Sequence, residues 1–235
     1  MGKKKLSRFR ELGTLSRVFQ PTFEEVNQKD FHLKGKWCSE VFQNDYPLIL
    51  ELGCGKGEYT VGLAAKQPKK NYMGLDIKGA RLWTGAKIAH DKDLENVVFL
   101  RTQIEFINSF FSSDEADEIW VTFPDPQLKK RRHKKRLTGA VFLNKYRFFL
   151  KNNGTVHLKT DNDLLYQDTL ALARFNNLEI ERFTDDLYQE DWNDATVSIQ
   201  TYYEKSFLAK GERINYICFK LPKNLEIKEV PDEIQ

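Results

Sequence analysis

The chain has 235 residues, of which 40% are hydrophobic and 30% are charged, and its formal net charge is +3. This length and composition predict one domain with a substantial core and a terminal extension. No run approaches the roughly 18 apolar residues that span a bilayer, and the Lys-rich start has no apolar stretch behind it, so neither a membrane span nor a signal peptide is expected.

The cysteines exclude two further classes of structure. Cys38, Cys54 and Cys218 are odd in number, far apart and without CxxC spacing. Neither a disulfide framework nor a structural zinc site is therefore predicted, and a reducing cytoplasmic location fits best.

Predicted strands and helices alternate along the chain. Short apolar, β-branched or aromatic runs predict seven strands: Leu48 to Leu52, Tyr72 to Ile77, Val97 to Leu100, Glu118 to Phe123, Thr155 to Leu158, Leu178 to Phe183 and Ile214 to Leu221. Segments with helical spacing lie between them: Glu58 to Lys66, Gly79 to Asp91, Ile104 to Phe111, Val141 to Lys151 and Leu164 to Asn176. This pattern predicts an α/β fold with a doubly wound, mostly parallel seven-stranded sheet and helices on both faces. The last two runs lack a clear helical crossover, which predicts an antiparallel edge strand.

Local signals predict where elements and domains end. Gly154, a few residues after the fourth helical segment, is expected to act as its stop, and Asp161 or Asp163 to cap the fifth helix. Residues 1–45 lie outside the alternation and are expected to form a basic, partly flexible extension. Residues 46–222 are then the functional domain, and residues 223–235 are a polar tail.

The first strand leads into a glycine turn, Glu51-Leu-Gly-Cys-Gly-Lys-Gly57. Gly53 and Gly55 allow a tight turn and the close approach of a ligand to the backbone, and Cys54 is expected to be a small buried side chain rather than a nucleophile. Asp76 ends the second strand about twenty residues later, where its carboxylate can accept hydrogen bonds from both hydroxyls of a ribose. This spacing predicts a nucleoside-containing cofactor at the carboxyl ends of the strands. Glu51 alternatively only caps the glycine turn.

The turn favours S-adenosylmethionine over a nicotinamide cofactor. Dinucleotide sites favour a G-x-G-x-x-G turn that seats a pyrophosphate, whereas here the glycines follow G-x-G-x-G with an acid two residues ahead. Glu51 and Glu58 would repel a pyrophosphate. A carboxylate at Glu51 suits the cationic sulfonium and amino groups of S-adenosylmethionine.

The fourth strand ends in Phe123-Pro-Asp-Pro126, and a basic run follows at once. The prolines fix the backbone and hold Asp125 at the ligand edge of the sheet. From Lys129 to Arg136 every residue except His133 is Lys or Arg, a block that needs solvation or a polyanion. The arrangement predicts a nucleic acid base meeting a methyl donor beside Asp125. The alternatives are an acidic turn without chemical use and a solvated or nuclear-targeting basic surface.

Over residues 45–220 the sequence resembles the bacterial tRNA (guanine-N7-)-methyltransferases, which are class I, Rossmann-like enzymes that use S-adenosylmethionine. The most specific features are FPDPQLKKRRHKKRL at 123–137, KTDN at 159–162 and TYYEKSFLAKG at 201–211. The resemblance implies methylation of N7 of a guanine in the variable loop of tRNA.

The resemblance also implies roles for individual residues. Glu51 and Asp76 are implied as cofactor contacts, together with Gly53, Gly55 and Gln103. Asp125 is implied as the catalytic residue at the methyl-transfer centre and as a further cofactor contact. The implied tRNA contacts are Lys129, Asp161, Thr201, Tyr202, Tyr203 and Glu204.

Two positions depart from the family pattern. Gln103 stands where the family usually has an acid near the adenine, and Gln127 stands where a Trp usually follows FPDP. A Gln carbonyl still accepts a hydrogen bond from the adenine amino group, but without charge assistance. Cofactor affinity and base stacking are the properties that these departures affect.

Guanine N7 carries an unprotonated lone pair, so its methylation requires no general base. Asp125 or Asp161 could stabilise the positive charge that develops on the imidazole ring, or orient the base through its N1 and N2 donors. The rival hypotheses are a methyltransferase for another RNA base or for a protein, a catalytically silent RNA-binding module and a nicotinamide oxidoreductase. The expected partner is tRNA, without a membrane or a metal, and the sequence is compatible with a monomer or a homodimer.

Overall fold

The computed structural model describes residues 3–231, with side chains described from residue 5. The chain divides into two compact units, residues 1–112 and residues 113–235, which are described in turn. No helix in the described part is long and apolar enough to cross a membrane.

Unit 1–112 contains a fully parallel sheet in the order β1-β4-β3-β2. Its strands are β1 (Val18–Phe19), β2 (Leu48–Leu52), β3 (Asn71–Leu75) and β4 (Val97–Leu100). Its helices are α1 (Lys3–Leu12), α2 (Phe23–Val26), α3 (Glu58–Lys66) and α4 (Gly79–Asp91), with a π-helix at Trp37–Phe42 and a 3-10 helix at Ile104–Ser109. Every residue of β2, β3 and β4 is buried, as expected of parallel strands that are covered on both faces.

The described part of the N-terminal region forms regular structure. Strand β1 pairs with β4, and the fully buried Trp37 donates a hydrogen bond from Nε1 to the carbonyl of Phe110 at 2.8 Å. Trp83 on α4 donates from Nε1 to the Glu11 carboxylate on α1 at 3.0 Å. Strand β1 was not predicted because two residues are too short to produce an alternating pattern. The domain boundary at residue 45 stays a prediction.

Unit 113–235 contains a mixed sheet in the order β5-β6-β8-β7. Its strands are β5 (Ala116–Thr122), β6 (Leu150–Thr160), β7 (Ile180–Thr184) and β8 (Asn215–Leu221). Its α-helices are α5 (Ala140–Phe149), α6 (Asp163–Phe175), α7 (Ala195–Ser198) and α8 (Tyr202–Leu208), with 3-10 helices at Lys130–Lys135 and Leu187–Gln189. Strands β5 and β6 are parallel, while β8 is antiparallel to both β6 and β7. The seven predicted strands are all present, and the mostly parallel α/β class with an antiparallel edge is confirmed.

Two predicted helix ends were wrong. Gly154 lies inside β6, where a bulge sets Ala116 and Glu118 of β5 opposite Leu150 and Thr155. A Cβ atom at Gly154 would lie 2.6 Å from Cγ of Leu150, so the bulge requires a glycine there. Asn162 caps α6 by accepting a hydrogen bond from Leu165 N at 2.9 Å, which leaves neither adjacent aspartate as the cap.

The C-terminal segment is tied to two helices. The Asn144 side chain on α5 accepts from Ile227 N at 2.9 Å and donates to Ile227 O at 2.8 Å. Asn176, at the end of α6, binds the backbone of Lys228 in the same two-bond manner. The segment is therefore anchored through its backbone, with Ile227 and Val230 buried and most of its polar residues exposed.

Candidate cofactor and substrate sites

The glycine turn of unit 1–112 folds over the end of β3. Gly53, Gly55 and Gly57 have φ angles of 75°, 55° and 66°, in the left-handed region that favours glycine. Gly53 N and Cys54 N both donate to the carbonyl of Leu75, at 2.8 and 3.0 Å. The turn therefore holds backbone groups of residues 53–57 at the carboxyl ends of β2 and β3, where ligands of open α/β sheets bind.

Glu51 is 3% exposed at the end of β2. Its Oε2 atom accepts a hydrogen bond from Thr60 N at 2.8 Å and another from the Thr60 hydroxyl. Thr60 lies in the first turn of α3, so the carboxylate caps that helix and is stabilised by its N-terminus. Glu51 therefore acts as a cap for α3. A carboxylate held in this way is also preorganised for a cationic ligand.

Asp76 follows β3 and has a fixed carboxylate. Oδ2 accepts from Gly55 N at 2.9 Å, and Oδ1 accepts from Lys78 N at 2.6 Å. Each oxygen keeps a further lone pair for a ligand donor such as a ribose hydroxyl. Gln103 begins the 3-10 helix after β4 and is exposed, and the preceding Thr102 donates its N–H to Asp76 O at 3.2 Å. The predicted cofactor residues of this unit therefore lie at the carboxyl ends of three neighbouring strands.

One aromatic ring that the sequence analysis missed lies beneath the glycine turn. A Cβ atom at Gly57, Gly74 or Gly85 would lie 2.5, 2.7 or 2.8 Å from the ring of Phe99 on β4. Because the ring already fills this space, these glycines let the turn, β3 and α4 approach one another. Gly85 is especially restricted, since its Cβ would also lie 2.7 Å from Lys56 O.

The Gly85→Ala variant is expected to bind S-adenosylmethionine at least about 10-fold more weakly and to lose about 1–3 kcal/mol of unfolding free energy, because overpacking displaces the turn. Isothermal titration and denaturant unfolding measure the two quantities. Ala80→Gly on the same helix is the control, and it should leave cofactor affinity unchanged. Wild-type affinity in Gly85→Ala would contradict the role given to this close approach.

Helix α1 also reaches the cofactor edge of this unit. The Arg101 guanidinium lies 4.6 Å from the centroid of the Phe9 ring, and its Nε donates to Ile77 O at 3.2 Å. Ile77 directly follows Asp76. Nothing in the local sequence pattern indicated this contact, because it joins residues that lie far apart in the chain.

Cys54 is 7% exposed within the turn. Burial raises the pKa of its thiol, and the nearby carboxylates of Glu51 and Asp76 raise it further. The thiol is therefore protonated at neutral pH and is not an activated nucleophile, which confirms the prediction of a small buried side chain.

In unit 113–235 the Phe123-Pro-Asp-Pro126 segment has a constrained backbone. Phe123 has a φ angle of 48° and Gln127 one of 49°, both unusual for residues with a side chain. Asp125 is exposed, and its Oδ1 accepts from Gln127 N at 3.0 Å. Bulky residues are held in such conformations where the surrounding structure requires them, most often at functional sites.

Three sequence motifs meet in this unit. Phe123 N of the FPDP segment donates to Lys159 O of the KTDN segment at 2.8 Å. The Phe123 ring lies 5.8 Å from that of Phe207 on α8, which carries the TYYEK motif. Lys159 Nζ lies 2.6 Å from Glu204 Oε1, and both side chains are fully buried. The motifs that were separate in the sequence thus form one connected substructure.

The predicted substrate residues divide into exposed and buried groups. Tyr202 is 59% exposed and Tyr203 is 37% exposed at the start of α8. Thr201 and Glu204 are buried and form the capping box of that helix, with Glu204 N donating to Thr201 Oγ1 at 3.2 Å. Glu204 thus supports the start of the helix, and the tRNA contact implied for it stays a prediction.

Asp161 is half-buried just after β6. Burial raises the pKa of its carboxyl, the charge of Glu212 raises it further, and Lys210 opposes these effects. A carboxylate with a raised pKa after a strand, beside two other motifs, is typical of a functional site.

Most of the basic run forms an exposed 3-10 helix, and one buried arginine follows it. Lys129 and five of the six residues Lys130–Lys135 are exposed, and His133 is half-buried. Arg136 is 5% exposed, donates from Nε to Pro126 O at 3.0 Å and pairs with Asp168 on α6. The run therefore presents its positive charge from residues 129–135, while Arg136 anchors it to the FPDP segment.

Known proteins are similar to this chain in sequence. The chain matches a family described as "Putative methyltransferase" over residues 45–217. It is 47% identical over 235 residues to the tRNA (guanine-N(7)-)-methyltransferase of Bacteroides fragilis (strain YCH46), with coverage of 100% of this chain and 92% of the relative. It is 50% identical over 220 residues to the enzyme of that name in Christiangramia forsetii, with coverage of 93% and 98%.

Solved structures share the fold. A 16S rRNA methyltransferase, KamB, is similar with a TM-score of 0.60 at 12% identity, over 78% of this chain and 92% of that one. A variant of the 16S rRNA (adenine(1408)-N(1))-methyltransferase from Catenulisporales acidiphilia with cosubstrate SAM is similar with a TM-score of 0.53 at 14% identity, over 80% and 91%. Because these sequence identities are low, the likeness shows the fold alone, which is the Rossmann-like fold of these methyltransferases.

Proposed function

We propose that S-adenosylmethionine is the methyl donor of this chain and that a variable-loop guanine of tRNA is the acceptor. The premise is that the chain belongs to the tRNA (guanine-N(7)-)-methyltransferases. The reaction forms 7-methylguanosine. The observation that carries the proposal is the connection of the FPDP, KTDN and TYYEK motifs within one unit, because these are the motifs that resemble the family most specifically.

The residues of unit 1–112 fit S-adenosylmethionine. The carboxylate of Glu51, which Thr60 holds in place, suits a cationic group. The carboxylate of Asp76, both oxygens of which are held by backbone N–H groups, suits the two hydroxyls of a ribose. The Gln103 carbonyl would accept from the adenine amino group. When bound, S-adenosylmethionine supplies an electrophilic methyl group on a sulfonium. The contribution of the chain is to hold that group in a fixed orientation for attack by N7.

The acceptor chemistry agrees with the side chains of unit 113–235. Guanine N7 attacks through its own lone pair, so the chain needs carboxylates that orient the base and stabilise its positive charge, rather than a strong base. Asp125 and Asp161 are the proposed carboxylates. The exposed ring of Tyr202 is a proposed stacking surface for a base. Such a surface matters here because Gln127 stands in place of the Trp that usually follows FPDP in the family.

The exposed residues 129–135 are the proposed phosphate contacts. If about five phosphates are neutralised, log affinity for tRNA should fall with log salt concentration at a slope on the order of −4. Lys134→Ala should make this slope less steep by about 1 without changing which nucleoside is methylated. Binding titrations across a salt series measure the slope, and a slope near zero would remove the basic run from the interface. Lys69→Ala, an exposed charge of unit 1–112, is the matched control.

The decisive experiment incubates the purified protein with labelled S-adenosylmethionine and an unmodified tRNA transcript, followed by nucleoside analysis. Label in 7-methylguanosine, lost when the variable-loop guanine is replaced by adenine, is the expected result. Label on another nucleoside would overturn the substrate and leave the fold intact. Absence of binding to S-adenosylmethionine would favour the RNA-binding module. Cys38, Cys54 and Cys218 form no disulfide in the described part of the chain, which is compatible with the proposed cytoplasmic location.

A further inference from the structure

Lys159 is a fully buried lysine that the sequence analysis placed only within the KTDN motif. It lies on β6, two residues from His157, so both side chains point to the same face of the sheet. On that face the His157 ring stacks on Trp120 at 3.9 Å, and His157 Nδ1 is 2.8 Å from the Tyr216 hydroxyl. Lys159 ends this polar and aromatic row at the carboxyl end of the strand.

The segment that covers this face has little regular structure. Between residues 187 and 201 it contains only a three-residue 3-10 helix and the four-residue helix α7. Trp192 of this segment contacts Tyr216 edge to face at 5.6 Å. So short a helix makes few internal hydrogen bonds, and its position must come from contacts with the rest of the unit.

Lys159 supplies such contacts at the end of α7. Its Nζ donates to Thr196 O at 2.5 Å and lies 3.3 Å from Ile199 O. These carbonyls belong to the last turn of the helix and the residue after it, where a cation is favourable. The same ammonium lies 2.6 Å from Glu204 Oε1.

Glu204 holds the start of the next helix. Its Oε2 accepts from Thr201 N at 3.3 Å, and its Oε1 accepts from the Tyr188 hydroxyl at 2.7 Å. The ion pair therefore joins the end of α7 to the beginning of α8 and fixes residues 199–201 between them. Tyr202 and Tyr203, the exposed aromatic residues of the motif, come directly after this joint.

We propose that Lys159 and Glu204 are positioning residues for the substrate: their buried ion pair fixes the α7–α8 joint and so sets where the Tyr202 and Tyr203 rings stand relative to the KTDN segment. The inference rests on the proposed function, since it assigns these rings to RNA. It changes the role implied for Glu204, from a contact with tRNA to a support for the residues that make that contact. Burial lowers the pKa of the Lys159 ammonium, and the Glu204 carboxylate opposes this shift, so the pair is mutually dependent.

The test removes both charges together, because a single charge left buried could prevent folding. The double variant Lys159→Met/Glu204→Met keeps the side-chain volumes close to those of the wild type. We expect its KM for tRNA to rise by at least about 10-fold, with a smaller fall in kcat and an S-adenosylmethionine Kd within about 2-fold of the wild type. Hydrogen exchange should accelerate at amides 196–204 and not in β5 or β6. Lys220→Met/Glu181→Met, which removes an ion pair 3.2 Å long between β8 and β7, is the matched control and should keep wild-type kinetics.

Lys159→Met/Glu204→Gln decides the outcome if the first double variant does not fold, because it leaves no buried charge and places at position 204 a glutamine, which a capping box also accepts. A tRNA KM raised by at least about 3-fold at unchanged cofactor Kd supports the proposal, and an unchanged KM overturns it. Wild-type kinetics in a folded double variant also overturn it, as does equal loss of cofactor and tRNA affinity. Failure of the wild-type protein to methylate tRNA would instead reject the proposed function, so the two failures are distinguishable.

Discussion

Asp125→Asn is expected to lower kcat for tRNA methylation by about 100-fold while changing the S-adenosylmethionine Kd by less than about 2-fold. The substitution keeps the shape of the side chain and an oxygen that can accept from Gln127 N, as Asp125 Oδ1 does at 3.0 Å. What it removes is the negative charge that would stabilise the cationic methylated base. Single-turnover methyl transfer and isothermal titration separate the two quantities.

The control for this prediction is Asp185→Asn, which removes an exposed carboxylate of the same unit at a position outside the three motifs. Its turnover should equal that of the wild type. Equal losses of turnover and cofactor affinity in Asp125→Asn would contradict the proposed role and make Asp125 a cofactor residue only. Unchanged turnover would remove it from the site.

Asp161→Asn is expected to lower kcat/KM by about 10- to 100-fold and to remove the acid limb of the pH profile. Burial raises the pKa of the Asp161 carboxyl, so in the wild type the ionised form should disappear at a higher pH than for an ordinary aspartate as the solution is acidified. Activity should therefore fall with falling pH through that raised pKa. A profile measured from neutral to acid pH on both proteins tests this, and an identical acid limb in the variant would contradict it.

The same pKa shift predicts the effect of Asp161 on stability. A carboxyl whose pKa is higher in the folded than in the unfolded state destabilises the fold when it is ionised. This destabilisation is complete above the folded pKa and is lost as the pH falls below the unfolded pKa. Asp161→Asn should consequently have a higher Tm than the wild type at neutral pH, with the difference shrinking in acid. A lower Tm at neutral pH would show that the carboxylate is structural.

The sequence predicted the elements with strong local patterns. Strand β2, strand β4, helix α3 and helix α4 lie at their predicted bounds, because buried runs and helical spacing are local properties. The glycine turn and Asp76 were likewise predicted together, since a parallel strand pair brings their chain positions to one edge.

What the sequence did not predict depends on contacts between distant residues. The ring of Phe99 beneath Gly57 and Gly85 could not be inferred from a run of apolar residues. The buried position of the Arg136 side chain could not be predicted within a run of Lys and Arg residues, because only its ion pair with Asp168 on α6 distinguishes it from the others. The buried pairing of Lys159 with Glu204 joins positions 45 residues apart, and two charged residues in the sequence give no sign of being inside.

The buried position of Arg136 limits how the length of the basic run can vary. The hydrogen bond from Arg136 to the carbonyl of Pro126 fixes the chain at two points ten residues apart. Between them, Lys and Arg can exchange places, because a phosphate is attracted by either. An insertion or deletion would shift the register and carry the guanidinium away from Asp168. Substitutions that accumulate naturally in this loop should therefore change its sequence of Lys and Arg residues but not its length.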